Sequence, residues 1–244
     1  MELQVPVLRR VVEAILVFDH GFTPEAVTTA LDNLRTFEFL GGNHIIVSEF
    51  ESGSETCDLY SYKRGPTKAE LKFLHAAYAE RRRVLSNSLL KTAGERYVRA
   101  AILKSGNYQG VTRVSRLGKI TDGSGKNALD MLATLKTSRV TFGISVKNQH
   151  AWLFPGDKSI KDVYAKAAAH GVKPWLVVPF ATKDAQLRCQ HDGIKLSELH
   201  RQVVPAEDRY GRPMELTIRN LRSVIGPQPF RYLYARASRS WKDE

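Results

Sequence analysis

Residues 139–149 read Arg139-Val140-Thr141-Phe142-Gly143-Ile144-Ser145-Val146-Lys147-Asn148-Gln149, and their alternation decides how the rest of the chain is read. Successive side chains of a strand point to opposite sides, so Val140, Phe142, Ile144 and Val146 share an apolar face. Ser145, Lys147 and Gln149 share the polar one. Upstream, residues 127–133 read as a preceding strand that carries Asp130 among Leu129, Met131 and Leu132. A carboxylate in such a run is costly to bury unless it is paired or binds a metal, which makes Asp130 a candidate ligand.

Further outward, residues 89–103 have helical periodicity and stop near Lys104-Ser105-Gly106. Glu95 shares a face of that helix with Val98 and Ile102, at i, i+3 and i+7, which turns a second acid toward the core. Downstream, Ser159 is the expected cap of a helix running to Gly171. Residues 175–180 form a continuous apolar run of the kind found in buried parallel strands. Strand, helix and strand in that order predict an α/β fold. Two carboxylates beside a lysine suit Mg²⁺, a hard cation that prefers oxygen ligands, with the lysine orienting or activating a water that attacks phosphorus.

Gly94-Glu95 on a helix, Asp130 on a strand and Ser145-Val146-Lys147-Asn148-Gln149 on the next resemble the PD-(D/E)XK nuclease superfamily over residues 88–182. The resemblance implies a restriction-endonuclease-like core, a central mixed sheet flanked by helices, that hydrolyses phosphodiester bonds with Mg²⁺, for which Mn²⁺ can substitute. It implies Asp130 as metal-binding acid, Lys147 as catalytic lysine, Glu95 as helix acid near the metal and Gln149 as the polar residue that follows. Ser145 departs from the pattern, standing where a second acid is expected. Members with serine there recruit a carboxylate from the following helix, which nominates Asp162 as a metal ligand; Glu95 compensating is the other option. Asp162 also suits an ordinary helix start, with Lys166 one turn on.

N-terminal to this core, apolar residues between Val5 and Phe18 recur at helical spacing, and Thr23-Pro24-Glu25 opens a second helix. Two extended segments, at 44–47 and 58–62, flank the polar Glu51-Ser52-Gly53-Ser54 and predict a hairpin. Helices followed by a hairpin suggest a small winged-helix-like α+β domain over residues 1–66. Gly65-Pro66 is the expected boundary, and Thr67-Lys68-Ala69-Glu70 a capping box that launches the next helix. The nuclease-like core is then expected over 67–190. Residues 191–244, broken by Gly193, Gly211, Pro213 and Gly226, are expected as helical fragments in a basic extension packed on the core.

The net charge of +12 is unevenly placed. Residues 1–60 hold three basic residues against ten acidic ones, a balance of −7 that leaves +19 for the remainder. Residues 81–120 contain ten Lys or Arg and one acid, Glu95. Such a density suits phosphate contacts. Arg81, Arg82, Arg83, Arg96, Arg99, Arg113, Arg116, Lys119 and Lys126 are therefore the candidate contacts to double-stranded DNA. An acidic N-terminal domain is repelled by phosphates, so it is expected in homodimerisation or partner contact, and a dimer would bring two sites to the two strands of a duplex.

Gly123-Ser124-Gly125-Lys126 lacks P-loop spacing, and no small-molecule cofactor is expected. The chain shows neither an apolar run long enough for a membrane span nor a secretory signal, so a cytoplasmic location is expected, with Cys57 and Cys189 as free thiols. Two alternatives to the endonuclease reading stay open. One is a catalytically degenerate nuclease fold that binds DNA as an accessory protein; the other is an assembly subunit docking through its acidic N-terminal domain.

Overall fold

The computed structural model describes residues 6–18, 20–36, 45–52, 55–62, 64–113, 129–148, 152–208, 211–221 and 232–235. Its chain divides into two units, Met1–Ser86 with Glu207–Arg231, and Asn87–Ala206 with Tyr232–Glu244.

In the first unit, β1 (Val7–Leu8) leads into α1 (Arg9–Phe18), then α2 (Pro24–Thr36) and the hairpin β2 (Ile45–Ser52) and β3 (Glu55–Tyr62). Proline at the first position of α2 loses no hydrogen bond, and Thr23 Oγ1 accepts from the Ala26 amide at 3.3 Å. The strands form an antiparallel sheet in the order β1-β3-β2. Val27, Leu31 and Tyr60 make a buried cluster beneath the helices. Arg9 ties the acidic surface together, with guanidinium nitrogens 2.7 Å from Glu13, 2.6 Å from Asp32 and 3.4 Å from Asp58. The helix α3 (Lys68–Val84) follows, and its capping box is formed: Thr67 accepts from the Glu70 amide while Glu70 accepts from the Thr67 amide.

The second unit begins with α4 (Asn87–Lys104), β4 (Tyr108–Arg113), β5 (Met131–Leu135) and β6 (Thr141–Val146). The short β7 (Trp152–Leu153) precedes α5 (Lys158–Ala169), β8 (Lys173–Val178), β9 (Phe180–Ala181) and α6 (Lys183–His191). β10 (Lys195–Glu198) and β11 (Gln202–Pro205) come next; after α7 (Met214–Asn220) in the first unit, β12 (Tyr232–Ala235) pairs in parallel with β11. The central sheet runs β10-β8-β6-β5-β4, parallel from β10 to β6 and antiparallel from β6 to β4. This is the expected α/β architecture, a mixed sheet flanked by helices.

The sheet is covered on both faces. Val98 and Ile102 of α4 pack with Met131, Ala133, Ile144, Val146, Trp175 and Val177. Ile160 and Val163 of α5 and Ala185 and Cys189 of α6 pack with Leu129, Leu176 and Val178. Neighbouring residues of β8 thus enter opposite cores, which is why its sequence is continuously apolar.

Double coverage means that the polar face read for β6 is also packed against a core. Ser145 is buried, and a Cβ at Gly143 would lie 2.5 Å from a Leu129 methyl. A glycine lets that second core close over the strand. Three boundaries also move. β5 begins at Met131, so Asp130 occupies a bend ahead of the strand. α5 is preceded by Asp157 rather than capped by Ser159, and the Asp157 carboxylate accepts from the Phe154 amide at 2.7 Å, closing a turn one step earlier. From residue 192 onward β10 and β11 stand where helical fragments were expected, β12 lies in the aromatic-rich stretch after Gly226, and α7 is the sole helix among the described residues there. Strands of four residues are too short to show a period, and the breakers Gly193 and Gly211 turn out to supply positive φ between elements.

Candidate metal and catalytic site

The carboxyl end of a parallel strand is where an open α/β sheet leaves room for a ligand, and the candidate residues gather at the end of β6. Asp130 is held there by two main-chain bonds. Its amide donates to the Ile144 carbonyl at 2.9 Å, and its carboxylate accepts from the Val146 amide at 2.7 Å. The side chain thus replaces the main chain as acceptor just where the β5–β6 ladder ends. Ser145 Oγ lies 3.5 Å from the same carboxylate oxygen.

Glu95 approaches from α4, on the helical face that also buries Val98 and Ile102, and is 3% exposed. Both carboxylates converge on one cation, the ammonium of Lys91. Its Nζ is 3.6 Å from Glu95 Oε1 and 3.5 Å from Asp130 Oδ1. The structure therefore brings together the two acids that the sequence separates by 35 positions, and it adds a lysine that the sequence reading passed over. Lys91 was legible only as an i, i+4 partner of Glu95, a spacing that usually marks a solvated helix surface.

Lys147 follows β6 directly, half-buried, its amide donating to the Val177 carbonyl at 2.8 Å. The ammonium between the acids is that of Lys91 and not that of Lys147. Asn148 fixes the next turn of backbone: its amide nitrogen donates to the Leu90 carbonyl at 2.7 Å and to the Val203 carbonyl at 2.6 Å, while its side-chain oxygen accepts from the Val203 amide at 2.9 Å. This buried side chain locks the end of β6 to α4 and β11 at the level of Lys91 and Glu95. Beside it, Gln202 Nε2 donates to the Asn148 carbonyl at 3.2 Å, and Gln202 Oε1 is buried without a hydrogen-bond partner among the described residues.

Asp162 lies on α5, half-buried. Among the described residues no group of three or more acids, histidines or cysteines is placed to hold a metal, so Asp162 does not join Glu95 and Asp130 as a third ligand. Gln149 lies outside the described residues, as do Arg116, Lys119 and Lys126. Arg113 ends β4, with its side chain not described. Arg96 and Arg99 sit half-buried on α4, and Arg96 Nε is enclosed without a partner among the described residues. Arg81, Arg82 and Arg83 end α3 in the first unit; Arg81 and Arg82 lie over the Tyr78 ring and Arg83 pairs with Glu80. All three are among the cations expected to contact DNA, and each has a local partner in the fold.

A second constellation on the sheet was not foreseen. Lys195 Nζ lies 3.6 Å from the Trp175 ring centre, 5.0 Å from that of Phe142 and 5.3 Å from that of Tyr108, and donates to the Tyr108 hydroxyl at 2.7 Å. Four strands contribute one residue each.

No family model matches the chain, and no curated protein matches it. Two solved structures do. One, titled the crystal structure of a protein of unknown function, AF1548, aligns at 16% identity and a TM-score of 0.30 over 54% of this chain and 66% of its own. The other, titled the structure of EndoMS in apo form, aligns at 9% identity and a TM-score of 0.25 over 66% of this chain and 65% of its own. The alignments thus leave about a third of each of those chains unmatched. Likenesses of this size decide nothing further, and the architecture rests on the strand order and helix packing above. No helix among the described residues is long and apolar enough to cross a membrane.

Proposed function

We propose that the protein is a metal-dependent endodeoxyribonuclease of the PD-(D/E)XK type, hydrolysing phosphodiester bonds in double-stranded DNA. The observation that carries this reading is the meeting of two sequestered carboxylates, Glu95 from a helix and Asp130 from a strand end, on one cation. Lys147 follows at the carboxyl end of the neighbouring strand.

The donor set fits Mg²⁺. That ion is commonly bound by only one or two carboxylates, with waters and substrate phosphates completing its shell, so the buried Ser145 does not by itself exclude it. Glu95 and Asp130 would hold the ion, which when bound polarises a phosphoryl oxygen and acidifies its water. In this reading Lys147 orients the attacking water, and Gln149 is the polar residue that comes after it in the sequence motif. The water oxygen joins phosphorus and releases a proton to solvent as the bond to one sugar oxygen breaks, and the departing oxygen takes up a proton from solvent. Asn148 and the Val146 amide keep Lys147 and Asp130 in register without touching substrate. Arg96, Arg99, Arg113, Arg116, Lys119 and Lys126 supply the phosphate contacts, and two copies joined through the acidic N-terminal region would serve the two strands.

One observation favours a second reading, a degenerate nuclease fold that binds DNA without cutting it. Among the described residues no third acid joins the pair, and the Lys91 ammonium already offsets one of their two negative charges. Incubation with supercoiled, linear and branched duplex DNA in Mg²⁺, Mn²⁺ or EDTA separates the two. Metal-dependent cleavage supports the nuclease; salt-sensitive binding without cleavage in either metal supports the binding module. Light scattering with and without DNA tests the dimer, and a strict monomer in both would remove it.

A further inference from the structure

Lys91 stands one helical turn before Glu95 on α4. On an isolated helix that order is the weaker one, since a glutamate gains more from a lysine placed four residues after it than before it. Local helix electrostatics therefore does not explain where the ammonium sits. A tertiary contact does: Nζ is 3.5 Å from Asp130 Oδ1, across from another element, and 3.6 Å from Glu95 Oε1.

The exposures of the three side chains differ sharply. Those of Glu95 and Asp130 are 4% and 10% exposed, while that of Lys91 is 61% exposed. The acids are fixed inside and the cation reaches them from solvent. Two sequestered carboxylates need a positive charge, because burying them uncompensated costs several kcal/mol. Both distances nevertheless exceed the roughly 2.7–2.9 Å of a tight charge-assisted hydrogen bond. A lysine ammonium is a compact charge on a flexible stem, which can withdraw into water without breaking any packed contact, unlike a forked guanidinium.

We propose that Lys91 is the built-in counter-ion of the metal-free site and competes with the divalent cation for Glu95 and Asp130. This rests on reading the pair as a cation site. The ammonium holds the two acids together before metal arrives and must swing outward for metal to enter. Metal affinity is thereby set lower than two buried carboxylates would otherwise give, and the metal-free protein is more stable than it would be without the lysine.

The test uses Mn²⁺ alone, with binding measured by calorimetry and thermal unfolding followed in EDTA and in Mn²⁺. Lys91→Ala, and Lys91→Met as a second variant that keeps the stem, are expected to bind Mn²⁺ about tenfold more tightly than wild type. Both should unfold at a lower temperature in EDTA and recover in Mn²⁺. Lys91→Arg, whose fork grips carboxylates better, is expected to bind Mn²⁺ more weakly than wild type. Lys104→Ala, which removes the same charge from the end of the same helix, should leave affinity unchanged. Binding by Lys91→Ala with none by wild type would support the proposal further. If wild type binds Mn²⁺ and Lys91→Ala and Lys91→Met bind it equally or less well, the competition is refuted while the cation site survives. If neither wild type nor these two variants bind Mn²⁺, the cation site itself is refuted and the competition with it.

Discussion

Helix α4 crosses the end of β6 so closely that a Cβ at Gly94 would lie 2.6 Å from the Cβ of Asn148. The glycine costs the helix about 1 kcal/mol in intrinsic propensity relative to alanine, and its position explains why it is there. Only a residue without a side chain lets Asn148 reach the Leu90 carbonyl one turn away. Gly94→Ala is therefore expected to destabilise the protein by about 1–3 kcal/mol through overpacking, against its gain in helix propensity. Urea unfolding measures it, and a more stable variant would show that the crossing relaxes.

Asn148→Ala is expected to cost more. It leaves both the amide and the carbonyl of Val203 without the partner they have here, at about 1–3 kcal/mol for each group that water cannot reach, and takes from the Leu90 carbonyl, already an acceptor within α4, its second donor. Amide hydrogen exchange at Val203 gives the local readout: it should speed up in the variant well beyond the change at β3, in the other unit. Unchanged protection at Val203 would contradict the clamp.

The central sheet was readable because its signals are long or doubly determined. Residues 175–180 are apolar without a break, and the phase of Glu95, Val98 and Ile102 points one way on α4. The convergence of Glu95 and Asp130 was expected from that phase, from a carboxylate set in the apolar run at 129–132, and from the resemblance that places the two acids at one site. Lys91 was missed because an exposed lysine at i−4 from an acid has no sequence mark separating it from a solvated pair. Asn148 was read only as a letter within a motif, although burial gives it four hydrogen-bonding roles. The region after Asp192 was misread because four-residue strands and glycine-rich turns carry too little periodicity to distinguish a strand from a broken helix. The burial of the polar face of β6 was hidden for a different reason: a strand's pattern shows one core, and Gly143 conceals the second.

Lys195 supplies a stability test away from the site. Its ammonium lies over Trp175 and within reach of two further rings, a geometry that contributes about 1–2 kcal/mol when partly shielded from water. Lys195→Met, which keeps the stem and removes the charge, is expected to lose about that much and to alter the Trp175 fluorescence. An equally stable variant with unchanged emission would show that the rings need no cation.

The start of α3 gives a pH dependence with a definite sign. The hydrogen bonds from Arg64, then from the Thr67 amide and hydroxyl, hold the Glu70 carboxyl down at about 2, below its ordinary value of 4.5. Because the folded value is the lower one, the interaction stabilises the fold above the ordinary value and is lost as pH falls through about 2. Glu70→Gln should remove this part of the acid sensitivity, so wild type and variant should draw together in stability between those two pH values. Parallel profiles across that window would show that the Glu70 carboxyl is not linked to folding.

The central claim is that Glu95 and Asp130 form a metal site serving hydrolysis with Lys147. The most direct measurement is the single-turnover rate of duplex DNA cleavage in Mg²⁺ by wild type, Asp130→Asn and Lys147→Ala, each shown folded by circular dichroism. Asp130→Asn keeps an oxygen for the Val146 amide while removing the charge. The expected result is metal-dependent cleavage by wild type and a loss of about 100-fold or more in both variants. Cleavage that survives both substitutions, or a wild type that cuts no DNA in either Mg²⁺ or Mn²⁺, would contradict it.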